Sequence, residues 1–369
     1  MKRILTVLIL ILMALSFACA EDSVLFINVG KADAILITSG GRHYLVDTGS
    51  QDSFPQLWAG LKSQGVETLS GVFLTHSHKD HVGGLEQLAK HMPIDMGYCA
   101  QIGETNKKGA LKTQKEFSDA GLPVTLLSAG EVLKLSENDI ITVLAPFEYF
   151  PDDDNDNSLV LLLTLGGVRY LLTGDMQYRQ EATLLAKGFD LSAQVLKVGN
   201  HGNRDATSDV FARAVSPDIA VISTDRLVDF DSAHERVLAA LQPARVFLTE
   251  DSGIGILVQK EGEELTAQAL FPPKTDRGSF SMDIDIDNQL VTITGQGDLS
   301  GCILFSIRGG EAFIFPEGVS LKNGESITLS SKVDATFHWD EKNPIHKTKD
   351  DLLMLYHQDG TALTTQYNR

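Results

Sequence analysis

Three histidines and one aspartate fall within six consecutive positions, as His76, His78, Asp80 and His81. Imidazole nitrogens and carboxylate oxygens are the ligands that zinc and manganese bind in proteins. The chain has only 10 histidines among 369 residues, so chance would rarely bring three of them this close together. At the end of a strand, His76 and His78 can point the same way while Asp80 and His81 face a second position. The spacing therefore predicts a metal site rather than a group of solvated histidines.

A pair of metal ions at such a site would catalyse hydrolysis. Two ions about 3.5–4 Å apart make a bridging water acidic and hold the oxygens of an in-line displacement. This arrangement suits a phosphodiester, whose transition-state charge is spread over oxygens. It also suits an acyl ester or a lactone, so the pattern predicts hydrolysis and leaves the electrophile open.

The elements that would position these side chains alternate between strand and helix. The segments "VLFINV", "AILITS" and "RHYLVDTG" are typical of strands, and "FPQLWAGLKSQG" has helical spacing. The segment "LSGVFLTH" predicts a buried strand that ends at His76, with a helix in "GGLEQLAKHM" after the loop. Later strands such as "VRYLLTGD", "AQVLKVG" and "DIAVIST" are separated by helical segments. Strands with interleaved helices predict two packed sheets covered by helices, an α/β fold over residues 21–270.

The composition and the pattern of the sequence change near residue 270. The segment "FPPKTDRGSF" carries proline, glycine and charge, so we predict a linker over residues 271–282. Residues 283–369 contain short strand patterns and turns with little helix, which predicts a small all-β sandwich.

Charge and the N-terminal segment limit the classes of function. A net charge of −18 disfavours a broad basic surface for nucleic acid, although bound metal ions would reverse the field locally. Residues 1–20 combine "MKR", an apolar run and small residues, which predicts an export signal and a secreted protein. The apolar run is shorter than the roughly 20 residues that cross a bilayer. Lipid attachment at Cys19 is the alternative to simple cleavage. Cys99 and Cys302 are expected to be free thiols, with a disulfide between domains as the alternative.

Five motifs in order resemble the metallo-β-lactamase superfamily, and more narrowly the hydrolase domains of ComEC-type competence proteins and the phosphorylcholine esterases. They lie between about residues 23 and 260 and are "FINVGKADAILI", "LVDTG", "LTHSHKDHVGG", "NDNSLVLLLTLGGVRYLLTGD" and "LKVGNHGN". The resemblance implies an αββα sandwich and a hydrolase with two divalent metal ions, zinc first and manganese second.

The resemblance also implies roles for single residues. Asp175 matches the carboxylate that bridges the two metals, with helix capping as the alternative. His201 and His234 match later motifs, and either could complete the second metal site or lie on the surface. We expect His234 to be a ligand and His201 to be a ligand or a substrate contact. Asp80 or His201 could also handle the proton of the leaving group.

Three further positions are expected around the metals. Asn157 occupies the place of a metal-binding histidine in other branches of the superfamily, and its amide would be a weak ligand. Asp47 is expected to orient a metal-bound histidine, or else to cap the turn in "DTG". Asp33 is retained in "NVGKAD" and is expected to contact the metal ligands without binding the metal itself.

The chain also departs from the family pattern. Asn28, Lys31 and Ala32 replace residues of the first motif, and Asn200 and Asn203 replace residues of the last. Metal binding is still expected because the metal loop is intact. Lys31 could contact a phosphate, although a lone lysine is more often solvated.

The C-terminal segment resembles the lamin tail domain, an immunoglobulin-like sandwich. The matching features are the "DLSG" turn, the run from "FPEG" to "GESITL" and the segment "LLMLYHQDG". Such a domain would serve attachment or substrate presentation, with a passive stabilising role as the alternative.

Together these features predict an exported binuclear phosphodiesterase that acts on DNA or on a phosphorylated cell-surface polymer. Two alternatives stay open. One is a metallohydrolase of esters or lactones. The other is a surface-binding protein whose activity was weakened by the substitutions at Asn28, Asn157 and Asn200.

Overall fold

The structure is a computed structural model that describes residues 21–369. The predicted export signal and Cys19 lie outside the described residues. Within the described part of the chain, no helix combines the length and the hydrophobicity needed to cross a bilayer. Cys99 and Cys302 are both buried and free.

Eight strands form the first sheet in the order β15-β14-β1-β2-β3-β4-β5-β6. They are β1 (Ser23–Ile27), β2 (Ile35–Ser39), β3 (Arg42–Val46), β4 (Gly71–Leu74), β5 (Gly97–Ala100), β6 (Val124–Leu127), β14 (Gly255–Glu261) and β15 (Glu264–Leu270). The pairs β3–β4, β4–β5 and β5–β6 are parallel, and the others are antiparallel.

Seven strands form the second sheet in the order β13-β12-β11-β10-β9-β8-β7. They are β7 (Val132–Lys134), β8 (Ile140–Ala145), β9 (Val160–Leu165), β10 (Val168–Leu172), β11 (Val195–Lys197), β12 (Ile219–Ile222) and β13 (Arg245–Leu248). The four strands from β10 to β13 run parallel to one another.

Helices cover the outer face of each sheet. They are α1 (Phe54–Ser63), α2 (Lys79–Val82), α3 (Leu85–His91), α4 (Lys112–Asp119), α5 (Tyr178–Lys187), α6 (Asp209–Val215) and α7 (Glu235–Ala240). One apolar cluster lies between the two sheets, a second joins the first sheet to α1, α3 and α4, and a third joins the second sheet to α5–α7. The predicted αββα arrangement is therefore confirmed.

Strand β1 explains why the sheets are packed on both faces. All five of its residues are buried. Because side chains alternate between the faces of a strand, Val24 and Phe26 enter the cluster between the sheets, while Leu25 and Ile27 enter the cluster under the helices. A continuous apolar run is thus required where both faces are covered.

The C-terminal segment forms two four-stranded sheets, β16-β17-β20-β21 and β19-β18-β22-β23. Their strands are β16 (Ser279–Asp285), β17 (Leu290–Asp298), β18 (Ile303–Ser306), β19 (Glu311–Ile314), β20 (Ser320–Ser330), β21 (Phe337–His338), β22 (Leu352–Tyr356) and β23 (Ala362–Tyr367). Side chains from both sheets share one core around the buried Trp339. Residues 279–282, which the sequence assigns to the linker, already belong to β16 because they pair with β17.

The two domains share apolar contacts. Phe305 of β18 belongs to the same cluster as Phe54 and Trp58 of α1, and the ring centroids of Phe305 and Phe54 are 6.4 Å apart. Gln87 of α3 accepts a hydrogen bond from the backbone N–H of Ala312. The C-terminal domain therefore packs on the helix layer of the first sheet.

Candidate functional site

The candidate site lies where parallel strands of both sheets end. Residues Asp47 and His76 follow β3 and β4 in the first sheet, and Asp175 and His201 follow β10 and β11 in the second. The carboxyl ends of parallel strands meet at one edge of a sheet, where loops can bring side chains from distant parts of the chain together. Packing two such sheets face to face places both sets of loops at one rim.

Four side chains from these loops form a cluster with the composition of a metal site. Asp80, His81, Asp175 and His201 each contribute a ligand atom, and these atoms all lie within 4.8 Å of one another. The Nε2 atoms of His81 and His201 both lie 3.2 Å from Oδ2 of Asp175. His201 Nε2 also lies 3.4 Å from Oδ2 of Asp80. Three of the four are buried, and Asp80 is the exposed one, with 33% of its side chain accessible.

The opposite nitrogen of each histidine is already engaged. His81 Nδ1 lies 2.8 Å from Oδ2 of Asp47, and His201 Nδ1 donates to the carbonyl oxygen of Ser223 at 2.9 Å. Because Nδ1 carries a proton in both rings, Nε2 is the nitrogen of each ring that can bind a metal once its own proton leaves. Both Nε2 atoms and Oδ1 of Asp175 are buried without a hydrogen-bond partner. A divalent ion that displaces the Nε2 protons would be held by these two nitrogens and by the Asp175 carboxylate, so the residues fit a divalent metal ion.

The backbone at the site is strained. Asp47, Asn200 and His201 have φ angles of 61°, 43° and 51°, in the left-handed region that residues with a side chain seldom adopt. Each such residue costs on the order of 1–3 kcal/mol and persists only where its surroundings hold it. The turn at Asn200 and His201 directs the His201 imidazole toward Asp175. The strained backbone therefore orients this candidate ligand.

His76 and His78 form a second pair of ligand atoms beside the cluster. His76 Nε2 lies 3.0 Å from His78 Nδ1, within hydrogen-bond distance, so a metal ion could replace the proton between them. The ring centroids of His76 and His81 are 4.1 Å apart, which places this pair next to the four-residue cluster. His76 is buried and His78 is partly exposed. A metal held by His76 and His78 would therefore neighbour one held by the cluster.

Opposite charges tune the ionisation of the cluster. Burial lowers the pKa of His81, but the carboxylates of Asp175 and Asp47 outweigh it and hold that pKa well above its usual value. For His201 the same opposition, led by Asp175, raises the pKa to about 9. Burial would raise the pKa of Asp175, yet His201 and His81 hold it well below its usual range. Asp175 is thus ionised at neutral pH, whereas His81 and His201 each hold a second proton that a bound metal ion would displace.

A buried lysine, Lys197, completes the electrostatics of the site, and the sequence analysis did not single it out. Its ammonium forms an ion pair with Asp33 and donates to the carbonyl oxygen of Gly174 at 2.9 Å. Burial opposes its charge, but Asp33 and Asp175 hold the pKa of Lys197 above its usual value. The available signal was a lysine inside the apolar run "AQVLKVG", because lysine is almost never buried unless it is paired.

Asn157 lies near the site, but its amide is used elsewhere. Its Oδ1 accepts from the N–H of Phe150 at 2.8 Å, and its Nδ2 donates to the carbonyl of Phe150 at 2.9 Å. Nδ2 also lies 3.2 Å from Oδ1 of Asp154. The side chain therefore closes the loop between Phe150 and Asn157 and has no free atom for the metal.

His234 is also not brought into the cluster. It caps the N-terminus of α7, where its Nδ1 accepts a hydrogen bond from the N–H of Arg236 at 3.1 Å. Its Nε2 faces Asp231 at 3.7 Å. Only its backbone approaches the site, through a hydrogen bond to Gly202 beside His201.

Lys31, considered above as a phosphate contact, pairs with Asp229. The Nζ–Oδ2 distance is 2.8 Å, and both side chains are largely covered. Asp229 lies in a loop whose Ser232 hydroxyl donates to the carbonyl of His201 at 2.7 Å. The ion pair therefore fastens this loop over the His201 side of the site.

Comparison with known proteins agrees with this architecture. A family model described as "Metallo-beta-lactamase superfamily" matches residues 27–225, which is more than half of the chain. The match covers Asp33, Asp47, the metal loop, Asp175 and His201.

Curated relatives were found among bacterial competence and recombination proteins. ComE operon protein 3 of Bacillus subtilis is 28% identical over 63% of this chain and 32% of its own length. Competence protein ComA of Neisseria gonorrhoeae is 30% identical over 55% of this chain and 27% of its own. Recombination protein 2 of Haemophilus influenzae is 28% identical over 58% of this chain and 26% of its own. The chain thus spans between a quarter and a third of the length of these relatives.

Proposed function

Because the chain belongs to the metallo-beta-lactamase superfamily, we propose that it is an exported metal-dependent hydrolase that cleaves phosphodiesters with two divalent ions. The observation that carries the proposal is the convergence of two buried, unpartnered Nε2 atoms, of His81 and His201, on one oxygen of Asp175. Zinc suits this mixed nitrogen and oxygen site, and manganese is the second choice. The signal-like residues 1–20 support export.

The ligands divide into two sets that meet at Asp175. His76 and His78 would hold one ion, and Asp80, His81 and His201 would hold the other, with Asp175 between them. Asp47 and Ser223 fix the two buried imidazoles by accepting their Nδ1 protons. The rings therefore need no reorientation when the metals bind.

The bound metals would supply an acidic water and neutralise the charge that develops on the phosphoryl oxygens. Asp80 is the cluster residue that faces solvent. Burial would raise its pKa, but His201 and His81 hold that pKa well below its usual range, so the carboxylate is ionised and can bind a metal ion. His201, fixed by Ser223, holds Asp80 in position from the buried side.

The names of the relatives support a nucleic-acid substrate. One name refers to competence and another to recombination. We infer that DNA is the first phosphodiester to test, and that a phosphorylated cell-surface polymer is the second. The C-terminal sandwich, which we take to be a lamin tail-like, immunoglobulin-like domain, would attach the enzyme or present its substrate. A lipid anchor at Cys19 would serve the same end.

One observation favours a second candidate, hydrolysis of a small ester or lactone. A cavity of about 220 Å³ opens beside His78 and is lined by acidic side chains that include Glu104, Asp152 and Asp153. Lys112 and Arg179 pair with two of these carboxylates and neutralise part of their charge. The remaining negative field would repel a long polyanion more than a small neutral substrate.

The test is a substrate panel on the purified full chain. The protein is stripped with a chelator, reloaded with zinc or manganese, and assayed with a chromogenic phosphodiester, labelled DNA, an ester and a lactone. Metal-dependent cleavage of the phosphodiester is expected, with loss of turnover in Asp175→Asn. Cleavage of only the ester or lactone would support the second candidate. Metal binding without turnover on any of them would support a binding protein with weakened activity.

A further inference from the structure

The ammonium of Lys197 lies in the wall of the candidate metal site. The side chain has 0% exposure, and its Nζ contacts Asp33, donates to the carbonyl of Gly174 and lies 3.6 Å from Oδ1 of Asp175. The other oxygen of Asp175 faces His81 and His201. Asp175 is thus contacted by a fixed cation on one side and by metal ligands on the other.

The groups around the metal position carry a net negative charge when both imidazoles are neutral, as they must be to bind a metal. Four carboxylates surround it, and Lys197 is the one ammonium among the described residues that contacts them. With neutral imidazoles the set has a net charge of −3, and without the lysine it would have −4. The carboxylates are those of Asp33, Asp47, Asp80 and Asp175.

Asp33 could bind a metal if the lysine were not there. Asp33, Asp47 and His81 form a second group with the composition and spacing of a metal site. The ammonium of Lys197 pairs with Asp33 in that group. A divalent ion near Asp33 would have to displace or repel it, so only the side of the cluster that faces His201 stays open to a metal.

We propose that Lys197 is a positioning residue that supplies a permanent positive charge inside the metal site. Its ammonium pairs with Asp33 and lies beside one oxygen of Asp175. It thereby directs divalent ions to the histidine side of Asp175. Asp33 in turn holds the ammonium away from those ions. The inference rests on the proposed metal site and adds a residue that sets its charge and its geometry.

The proposal predicts that metal affinity follows the net charge of the set. Lys197→Met keeps the length of the side chain and removes its charge, which makes the set more negative. Asp33→Asn removes one carboxylate and leaves the ammonium free to approach Asp175. The double variant restores the original net charge. Buried charges interact strongly, so each single change should alter manganese affinity by about tenfold or more.

The experiment measures manganese affinity of the full chain by competition with a chromophoric chelator. We expect tighter binding in Lys197→Met, weaker binding in Asp33→Asn, and an affinity close to that of the wild type in the double variant. Lys134 provides the matched control, because it ends the same tripeptide "VLK" in β7 but is exposed. Lys134→Met should bind manganese as the wild type does.

The stability of the metal-free protein provides a second readout. Lys197→Met leaves Asp33 buried without a counter-ion, so its melting temperature should fall, and adding Asp33→Asn should recover most of the loss. If Lys197→Met fails to fold, the double variant still tests the proposal through its affinity.

A double variant that binds manganese more weakly than Asp33→Asn would overturn the proposal, because it would show that the lysine acts only as a scaffold. If the wild type binds no metal, the proposed metal site fails and the directing role fails with it, even where the melting temperatures follow the expected order. If the wild type binds metal but the variants do not follow the expected order of affinity, only the directing role fails.

Discussion

His81 Nδ1 lies 2.8 Å from Oδ2 of Asp47, and Asp47 is itself held by the N–H and the hydroxyl of Thr75 at 2.8 and 2.7 Å. The chain from Thr75 through Asp47 to His81 thus links two loops of the first sheet. It fixes the ring so that Nε2 faces Asp175. The metal ligand is therefore oriented by hydrogen bonds that exist without a metal.

Asp47→Asn should weaken metal binding about 10–100-fold, because the neutral amide holds the His81 ring less firmly. Asp351→Asn is the matched control. Asp351 is as buried as Asp47, at 1% exposure, and accepts from Ser306 and two backbone N–H groups in the C-terminal domain. It should lower stability while leaving metal affinity unchanged. Equal metal affinities in the two variants would refute a role of Asp47 in orientation.

Removal of the metal should lower the melting temperature of the wild type. A ligand at about 100 times its Kd stabilises the folded state by about 2.7 kcal/mol, so a chelator should reverse a shift of that size. In Asp175→Asn the ligand that joins both sets is lost, and metal or chelator should have little effect. Scanning calorimetry with and without added zinc provides the measurement. A chelator shift as large in Asp175→Asn as in the wild type would argue against Asp175 as a ligand.

The positions of the histidines predict different roles for His76 and His234. His76→Ala should lower the metal content of the purified protein, because it removes one of two converging nitrogens. His234→Ala should leave the metal content unchanged, because its ring caps α7 and faces Asp231. Elemental analysis after dialysis compares the two. Equal loss of metal in both variants would place His234 among the ligands after all.

The shared core predicts that the two domains unfold together. The chain has two tryptophans, Trp58 in α1 and Trp339 in the C-terminal core. Single Trp→Phe variants should therefore report the same urea midpoint by fluorescence. Phe305→Ala opens a cavity against Phe54 and should cost about 3–5 kcal/mol. Both midpoints should fall together, and a fall of the Trp339 midpoint alone would show that the domains are independent.

The two buried thiols should be unreactive in the folded protein. Burial raises the pKa of Cys99 to about 11 and that of Cys302 to about 12, so little thiolate exists at pH 8. Alkylation followed by peptide mapping should leave both residues unmodified until urea unfolds the chain. Rapid labelling of either cysteine at pH 8 without urea would contradict the packing described for it.

The tripeptide "VLK" shows what the sequence could reveal and what it could not. It occurs in β7, an edge strand where Lys134 is exposed, and in β11, between β10 and β12, where Lys197 is buried. The three strand residues are identical, so the tripeptide alone does not decide the environment of the lysine; the flanking residues and the order of the strands do. The partner of Lys197, Asp33, lies 164 positions earlier in the chain. Long-range pairings of this kind are absent from local patterns.

The strands and the metal loop were predictable for the opposite reason. A run such as "GVFL" before His76 is apolar throughout, as a doubly covered strand requires, and the histidine spacing is local. The direction of a side chain that follows a strand was less predictable. His201 faces Asp175 because its backbone is left-handed, whereas His234 turns to its own helix. Asn157 folds back on Phe150 for an equally local reason.

The central claim is that Asp80, His81, Asp175 and His201 hold a divalent ion beside a second ion at His76 and His78. Anomalous diffraction at the manganese or zinc edge, from crystals grown with that metal, tests it most directly. The account predicts a peak within about 2.0–2.2 Å of His81 Nε2, His201 Nε2 and an oxygen of Asp175, with a neighbour about 3.5–4 Å away. A metal-soaked crystal with no peak between those three side chains would contradict it.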